Sequence, residues 1–236
     1  MAQKKLQRFE AIKSFPNVLQ YPQGMAGKWH EFFQNDHPLT LELACGKGEY
    51  TVGLARMYPQ RNFVGVDLKG NRIYVGASRC LAEGRANAAF LRTQIDQIAT
   101  YFQPGEVQEI WITFPDPQLR RSKAKKRLTH PKFLRLYQQL LAPGGLIHLK
   151  TDSPVLAAFT RLVIQLYQLQ QVDYLENIYA AARLPEELLI RTHYEQLDIA
   201  QSHQVFYLSF RLPPTALPAL DHILHERILR DEQPTC

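Results

Sequence analysis

The sequence predicts an α/β fold, a doubly wound and mostly parallel sheet finished by an antiparallel C-terminal strand. Three observations carry this. Apolar runs alternate with helical patterns of roughly ten to fifteen residues from residue 39 to about 168, which is the pattern of βαβ units. The last third instead places two strand candidates around a loop and a short helix, as an antiparallel finish requires. The 236 residues are 45% hydrophobic and 21% charged, enough for a sizeable core. No repeat, low-complexity tract or Gly/Ser linker divides them.

Taken in order, residues 1–36 read as a basic arm ending in a short amphipathic helix at 25–34, stopped by Asn35-Asp36-His37-Pro38. Residues 37–236 read as one domain. Residues 39–44 form an apolar run without helical period, a buried strand, and 49–57 a helix. Residues 62–67 are a second strand, 71–84 a second helix, and 88–92 and 109–114 the third and fourth strands. A helix over 131–141 is broken by Pro143-Gly144-Gly145, because proline cannot continue it. A fifth strand follows at 146–150 and a long helix from 155 to about 168. Strand candidates at 172–179 and 205–212 close the sheet, and a C-terminal helix covers 220–229.

Net charge is +6, from 28 Lys and Arg against 22 Asp and Glu. Residues 120–127 alone contain six bases and no acid, so the rest of the chain is neutral. A weaker basic bias lies in residues 1–30, with Lys4, Lys5, Arg8, Lys13 and Lys28 against Glu10. A local surplus on a neutral body points to a docking surface for a polyanion. Three cysteines, Cys45, Cys80 and Cys236, show no paired spacing, which argues against a disulfide framework or a zinc cage. No run reaches the ~20 apolar residues of a membrane span, and the first residues lack a secretory apolar stretch. The expectation is a reduced, cytoplasmic protein with neither metal nor membrane partner.

In an open α/β sheet the ligand sits beyond the carboxyl ends of the strands, at the switch point. Here that is the turn Glu42-Leu43-Ala44-Cys45-Gly46-Lys47-Gly48. Gly46 and Gly48 permit close backbone approach. Asp67 ends the next strand 21 residues after Gly46, the spacing of a carboxylate that accepts from ribose hydroxyls. A plain glycine turn followed by a strand-ending Asp would look the same in isolation. Thr51 stands where a dinucleotide fingerprint needs its third glycine, and no phosphate loop is present. Glu42 adds negative charge, which disfavours pyrophosphate and favours a nucleoside with a cationic end, namely S-adenosylmethionine.

Farther along, Pro115 and Pro117 hold Asp116 rigidly at the end of the fourth strand; an Asx-type turn is the plainer reading. The basic run follows directly, which favours phosphate-backbone contacts over a merely solvated face. Asp152 ends the fifth strand on the same edge. Thr192-His193-Tyr194-Glu195 has the spacing of a capping box, which does not prevent its side chains from also meeting a ligand.

Together these residues resemble the bacterial tRNA (guanine-N7-)-methyltransferase family. The matching stretches are LELACGKGEY from Leu41, FVGVDLKGNR from Phe63, ITFPDP from Ile112, KKRLTHP, LAPGGLIHLKTD from Leu141, and THYE from Thr192. The resemblance implies a Rossmann-like class I methyltransferase that moves a methyl group from S-adenosylmethionine to N7 of a variable-loop guanine, position 46 of tRNA, leaving S-adenosylhomocysteine. It implies cofactor contacts from Glu42, Gly46, Gly48, Asp67, Asp96 and Asp116, with Asp116 catalytic. It implies substrate contacts from Arg120, Asp152, Thr192, Tyr194 and Glu195, and RNA contacts from Arg121, Ser122, Lys123, Lys125, Lys126 and Arg127. No obligate protein partner is implied.

Three positions depart from the family pattern. Ala44 replaces the first loop glycine, where an alanine fits with a negative φ; Gln118-Leu119 replace Trp-Pro; and Arg120 replaces Lys. A non-catalytic RNA-binding protein on the same scaffold, a nicotinamide-dependent oxidoreductase and a methyltransferase acting on another nitrogen are the competing readings.

Overall fold

The computed structural model describes residues 2–197, 199 and 201–230. In chain order it holds α1 (Ala2–Ala11), β1 (Val18–Gln20), α2 (Trp29–Phe33), β2 (Leu39–Leu43), α3 (Glu49–Met57) and β3 (Asn62–Asp67). Next come α4 (Gly70–Ala82), β4 (Ala88–Arg92), β5 (Val107–Thr113), α5 (Pro131–Leu140), β6 (Leu141–Thr151) and α6 (Pro154–Leu166). The chain finishes with β7 (Gln170–Leu175), α7 (His193–Leu197), β8 (Phe206–Arg211) and α8 (Asp221–Arg230). Short 3-10 turns lie at Ile12–Ser14, Ile95–Thr100, Arg121–Lys126, Ile178–Ala180 and Glu186–Leu189.

The strands form a single sheet in the order β1-β4-β3-β2-β5-β6-β8-β7. β1 through β6 pair in parallel, while β8 runs antiparallel to both β6 and β7. The doubly wound class with an antiparallel finish is therefore the observed architecture. β2 is flanked by β3 on one side and β5 on the other, so the winding direction reverses there. A crevice at its carboxyl end is the geometric consequence.

β2 and β3 are buried at every position, because helices cover both faces of the sheet. On one face Leu41, Val64, Ile110, Leu149 and Leu208 pack under α2, α5, α6 and α8. On the other, Phe63, Phe90, Trp111 and Tyr207 pack under α3, α4 and the segment before β8. That second face is unusually polar within its apolar frame. The Trp111 and His148 rings stack at 3.9 Å, and His148 Nδ1 lies 2.8 Å from the Tyr207 hydroxyl.

Three local features differ from the sequence expectation. The helix expected over 25–34 is only Trp29–Phe33, because Gly27 at φ +76° keeps the residues before Trp29 in a turn and Gln34 ends the helix left-handed at φ +55°. β6 starts at Leu141 rather than 146. The Pro-Gly-Gly stretch breaks the helix as expected but is absorbed into the strand as an irregularity opposite Val107–Glu109. Within the basic arm, residues 18–20 form an edge strand on β4. Arg92 holds that arm in place. Its guanidinium lies 4.5 Å from the Phe9 ring centre and 5.2 Å from that of Tyr21, and donates to Gln20 Oε1 and the Leu68 carbonyl. No alternating apolar pattern marks a three-residue edge strand, so sequence periodicity had nothing to report.

Candidate active site

The β2–α3 turn is built on three consecutive demands for left-handed backbone. Ala44, Gly46 and Gly48 have φ of +58°, +56° and +71°. Gly48 is constrained twice, since a Cβ there would sit 2.5 Å from the Phe90 ring. At Gly46 the nearest atom would be Tyr194 Cε2 at 3.6 Å, so only the dihedral requires glycine. The expectation of a negative φ at Ala44 is overturned. The turn needs the left-handed conformation, and an alanine pays roughly 1–2 kcal/mol for it. Ala44→Gly should therefore raise stability by about 0.5–1 kcal/mol after the added chain entropy is counted. Urea unfolding at matched pH reads this directly, and an unchanged or lower midpoint would remove the assignment of strain.

Asp67, at the end of β3, ties this turn to the next one. Its Oδ2 accepts from the Gly46 N–H at 2.9 Å and its Oδ1 from the Lys69 N–H at 2.7 Å. Beside it opens a cavity of about 1030 Å³, lined among others by Ala44, Asp67, Asp96, Asp116, Asp152 and Tyr194. Four aspartates thus converge on one space from the carboxyl ends of β3, β4, β5 and β6. Asp96 lies in the turn after β4 and forms an ion pair with Lys132 of α5. Asp152 follows β6 and is half-buried.

Asp116 is exposed, and its Oδ1 accepts from the Gln118 N–H at 3.0 Å. The Asx turn and the cavity position expected as alternatives are both present. The residues on either side of the Pro-Asp-Pro triplet, Phe114 and Gln118, have φ of +46° and +48°. Non-glycine residues hold such angles only when the surroundings over-determine them.

Of the residues expected at the ligand, Glu42, Gly46, Gly48, Arg120, Thr192 and Glu195 are not among those lining the cavity. Glu42 does not line the cavity. Strand alternation turns it under α3, where it accepts from Thr51 N (2.7 Å), Thr51 Oγ1 (2.5 Å) and Thr113 Oγ1 (2.9 Å). Burial pushes its carboxyl from 4.5 up to about 7, with the hydrogen bonds only partly opposing the shift. The folded state therefore binds this proton more tightly than the unfolded chain does. The resulting stability is complete below about 4.5 and lost as pH rises through about 7. At higher pH the ionised carboxylate costs on the order of 3 kcal/mol. Glu42→Gln keeps the acceptor and should flatten stability between pH 5 and 7 relative to the parent, by roughly 1 kcal/mol per pH unit near the upper end. Parallel slopes for the two proteins would contradict this.

Thr192 and Glu195 form the capping box itself. The Glu195 N–H donates to Thr192 Oγ1 at 3.0 Å and the Thr192 N–H to Glu195 Oε2 at 3.3 Å. The Glu195 carboxylate also accepts from Lys150 Nζ (3.0 Å) and the Tyr179 hydroxyl (2.6 Å), and it does not reach the cavity. Between them, Tyr194 does line it, with the Arg72 guanidinium 5.4 Å from its ring centre.

Arg127 is 3% exposed and turned inward. The other polar residues of the run are exposed or half-buried. Arg120, Ser122, Lys123, Lys125 and Lys126 are exposed, Lys126 lines the cavity, and half-buried Arg121 donates to the Leu229 carbonyl.

Sequence reasoning missed Lys150, which is completely buried and also donates to the carbonyls of Leu188 and Ile190. A lysine in a strand buried on both faces was the available signal, since such a charge demands an internal partner. The assembled arrangement is a cavity lined by Asp67, Asp96, Asp116 and Asp152 together with Lys69, Arg72, Lys126 and Lys132, next to an exposed basic run. It can take a ligand with a positive centre inside and a polyanion on the neighbouring run.

A family model described as "Putative methyltransferase" matches residues 36–208. The tRNA (guanine-N(7)-)-methyltransferase of Bacteroides thetaiotaomicron is 46% identical over 222 residues, covering 90% of this chain and 87% of that protein. The protein of the same name from Porphyromonas gingivalis is 46% identical over 213 residues, covering 85% and 86%. Among solved structures, the 16S rRNA methyltransferase KamB superposes with a TM-score of 0.61 at 17% identity, covering 84% of this chain and 99% of that one. A variant of the 16S rRNA adenine-N1 methyltransferase of Catenulisporales acidiphilia, solved with the cosubstrate SAM, gives 0.53 at 16% identity, covering 79% and 91%. These two likenesses concern the fold.

Proposed function

The chain belongs to the tRNA (guanine-N7-)-methyltransferase family, and from that membership we propose that it moves a methyl group from S-adenosylmethionine to N7 of guanine 46 in the variable loop of tRNA, in the cytoplasm. The observation that carries the reading is the convergence of Asp67, Asp96, Asp116 and Asp152 on one cavity that Lys126 of the basic run also lines.

The residues present fit the cofactor. Each oxygen of Asp67 accepts a single backbone N–H and retains capacity for a ribose hydroxyl. The turn from Ala44 to Gly48 brings backbone to the cavity wall at its one lining residue, Ala44, and Asp96 of the next crossover lines the same cavity as a contact for the nucleoside base. When bound, the cofactor supplies an electrophilic methyl group on a cationic sulfur.

The acceptor nitrogen carries a lone pair and no proton, so no residue has to act as a general base. What the protein provides is alignment, which can account for about 7–11 kcal/mol of barrier lowering. Asp116 faces the positive charge that grows on the imidazole ring during transfer. Asp152 accepts from the donor edge of the guanine. Arg120, Ser122, Lys123, Lys125 and Lys126 hold phosphates and carry little sequence information.

The test is nucleoside mass spectrometry of tRNA incubated with the protein and methyl-labelled S-adenosylmethionine. Labelled 7-methylguanosine at position 46 is the expected product. Unlabelled tRNA, or label on another base, would end this reading.

A further inference from the structure

We propose that Arg127 is a positioning residue for Asp116 rather than a contact to RNA, a proposal that rests on the methyl-transfer reading above. Arg127 closes a run of bases whose other members are mostly exposed, yet its own guanidinium is turned into the protein. Nε donates to the Pro117 carbonyl and Nη2 to the Gln118 carbonyl, each at 3.2 Å. The guanidinium carbon lies 4.6 Å from the centre of the Phe159 ring, a stacking platform supplied by α6. Its backbone is anchored as well, by its N–H to the Ala124 carbonyl at 3.0 Å and by the His130 N–H to its own carbonyl at 2.9 Å.

Two features show what this arrangement is for. First, the carbonyls it grips belong to the two residues after Asp116, and Gln118 in turn donates to the Asp116 carboxylate. A continuous set of hydrogen bonds therefore runs from the guanidinium to the carboxylate. Second, the gripped segment is strained at both ends, at Phe114 and Gln118. A side chain with a rigid planar fork can hold two carbonyls at once, which a lysine ammonium on a flexible stem does less well. Arg127 has no carboxylate partner among the described residues, and burial alone lowers its pKa. Such an unpaired buried cation is disfavoured, and what compensates it here are the two loop carbonyls and the Phe159 ring. The arrangement also accounts for how the segment keeps its shape with Gln118-Leu119 in place of Trp-Pro.

Arg127→Lys in the full chain is the test, with Lys125→Ala as the comparison for a phosphate contact. In Arg127→Lys, turnover at saturating tRNA should fall tenfold or more. Its tRNA Kd should stay within about twofold of the parent, with an unchanged slope of log affinity against log salt. Lys125→Ala should lose affinity and reduce that slope by about 0.7–0.9. Hydrogen exchange gives a reading independent of catalysis, since amides of the 114–118 loop should exchange faster in Arg127→Lys while those of β2 and β5 do not change. Phe159→Leu, which removes only the platform, should give the same signature more weakly and serves if the arginine variant does not fold. Weakened tRNA binding with a shallower salt slope, normal loop exchange and normal turnover would make Arg127 an RNA contact and overturn the proposal. Failure of the parent to make 7-methylguanosine would sink the methyl-transfer reading instead, and loop exchange would still decide whether Arg127 holds the loop.

Discussion

Asp116→Asn is expected to lower turnover by a factor on the order of 10²–10³ while leaving tRNA affinity nearly unchanged. The magnitude is that of removing one preorganised electrostatic group from a site where charge develops, about 2.7–4 kcal/mol of barrier. The structure makes the substitution clean. Asp116 is exposed, and the hydrogen bond it accepts comes from the Gln118 N–H. Asparagine keeps that acceptor, so the Asx turn persists and only the charge is lost. Asp116→Ala removes the turn as well and should be slower still and less stable. Single-turnover methylation with saturating tRNA, alongside equilibrium binding, separates the two effects. A variant that turns over normally but binds tRNA poorly would show that Asp116 grips substrate and has no part in the transfer.

The second large effect concerns stability. Lys150 and Glu195 have side chains 0% and 2% exposed and lie 3.0 Å apart. Burial works to lower the Lys150 pKa, and Glu195 opposes the shift. Lys150→Met would strand the Glu195 carboxylate in the interior with only the Tyr179 hydroxyl and the Thr192 N–H as donors. Breaking a buried pair from one side costs about 3–5 kcal/mol, which for a chain of this size lowers Tm by on the order of 10 °C.

Glu195→Gln placed in the same protein should recover a substantial part, because a neutral amide tolerates that site and still accepts from Tyr179. Thermal unfolding of the two single variants and the double variant tests this. Additive losses would mean that the pair is not coupled. Methylation should fall with stability in Lys150→Met, since the pair anchors the short helix that presents Tyr194 to the cavity. In a chain with several packed layers these two consequences of one contact are hard to separate, and the double variant is the means of doing so.

Much of the scaffold could be read from local pattern. The strands at 39–44, 62–67 and 88–92 are apolar runs bounded by turn residues, and the structure has Leu39–Leu43, Asn62–Asp67 and Ala88–Arg92. Of the cavity-lining aspartates, Asp67, Asp116 and Asp152 were legible from their places at strand ends, since in a parallel sheet all strand ends of one kind share an edge, while Asp96 came from the family resemblance. The side chains of Glu42, Arg127 and Glu195 lie away from the cavity for one common reason. Their residue type suited a ligand, and their positions along the chain were correct, but which way each side chain turned depended on what packed over it. α3 claimed Glu42, the Phe159 ring and two loop carbonyls claimed Arg127, and Lys150 claimed Glu195.

By itself, then, the sequence determined the order of the elements, the edge of the sheet where chemistry gathers, and the family to which the chain belongs. The first two follow from periodicity and from turn chemistry, whose range is a few residues, and the family from the likeness of short motifs to known relatives. Only the tertiary structure decided that Ala44 is held left-handed, that one arginine of a basic run faces inward, and that a lysine and a glutamate 45 residues apart neutralise each other in the interior. A buried charge takes whichever partner the fold brings within reach, and that choice is made by contacts distant in sequence.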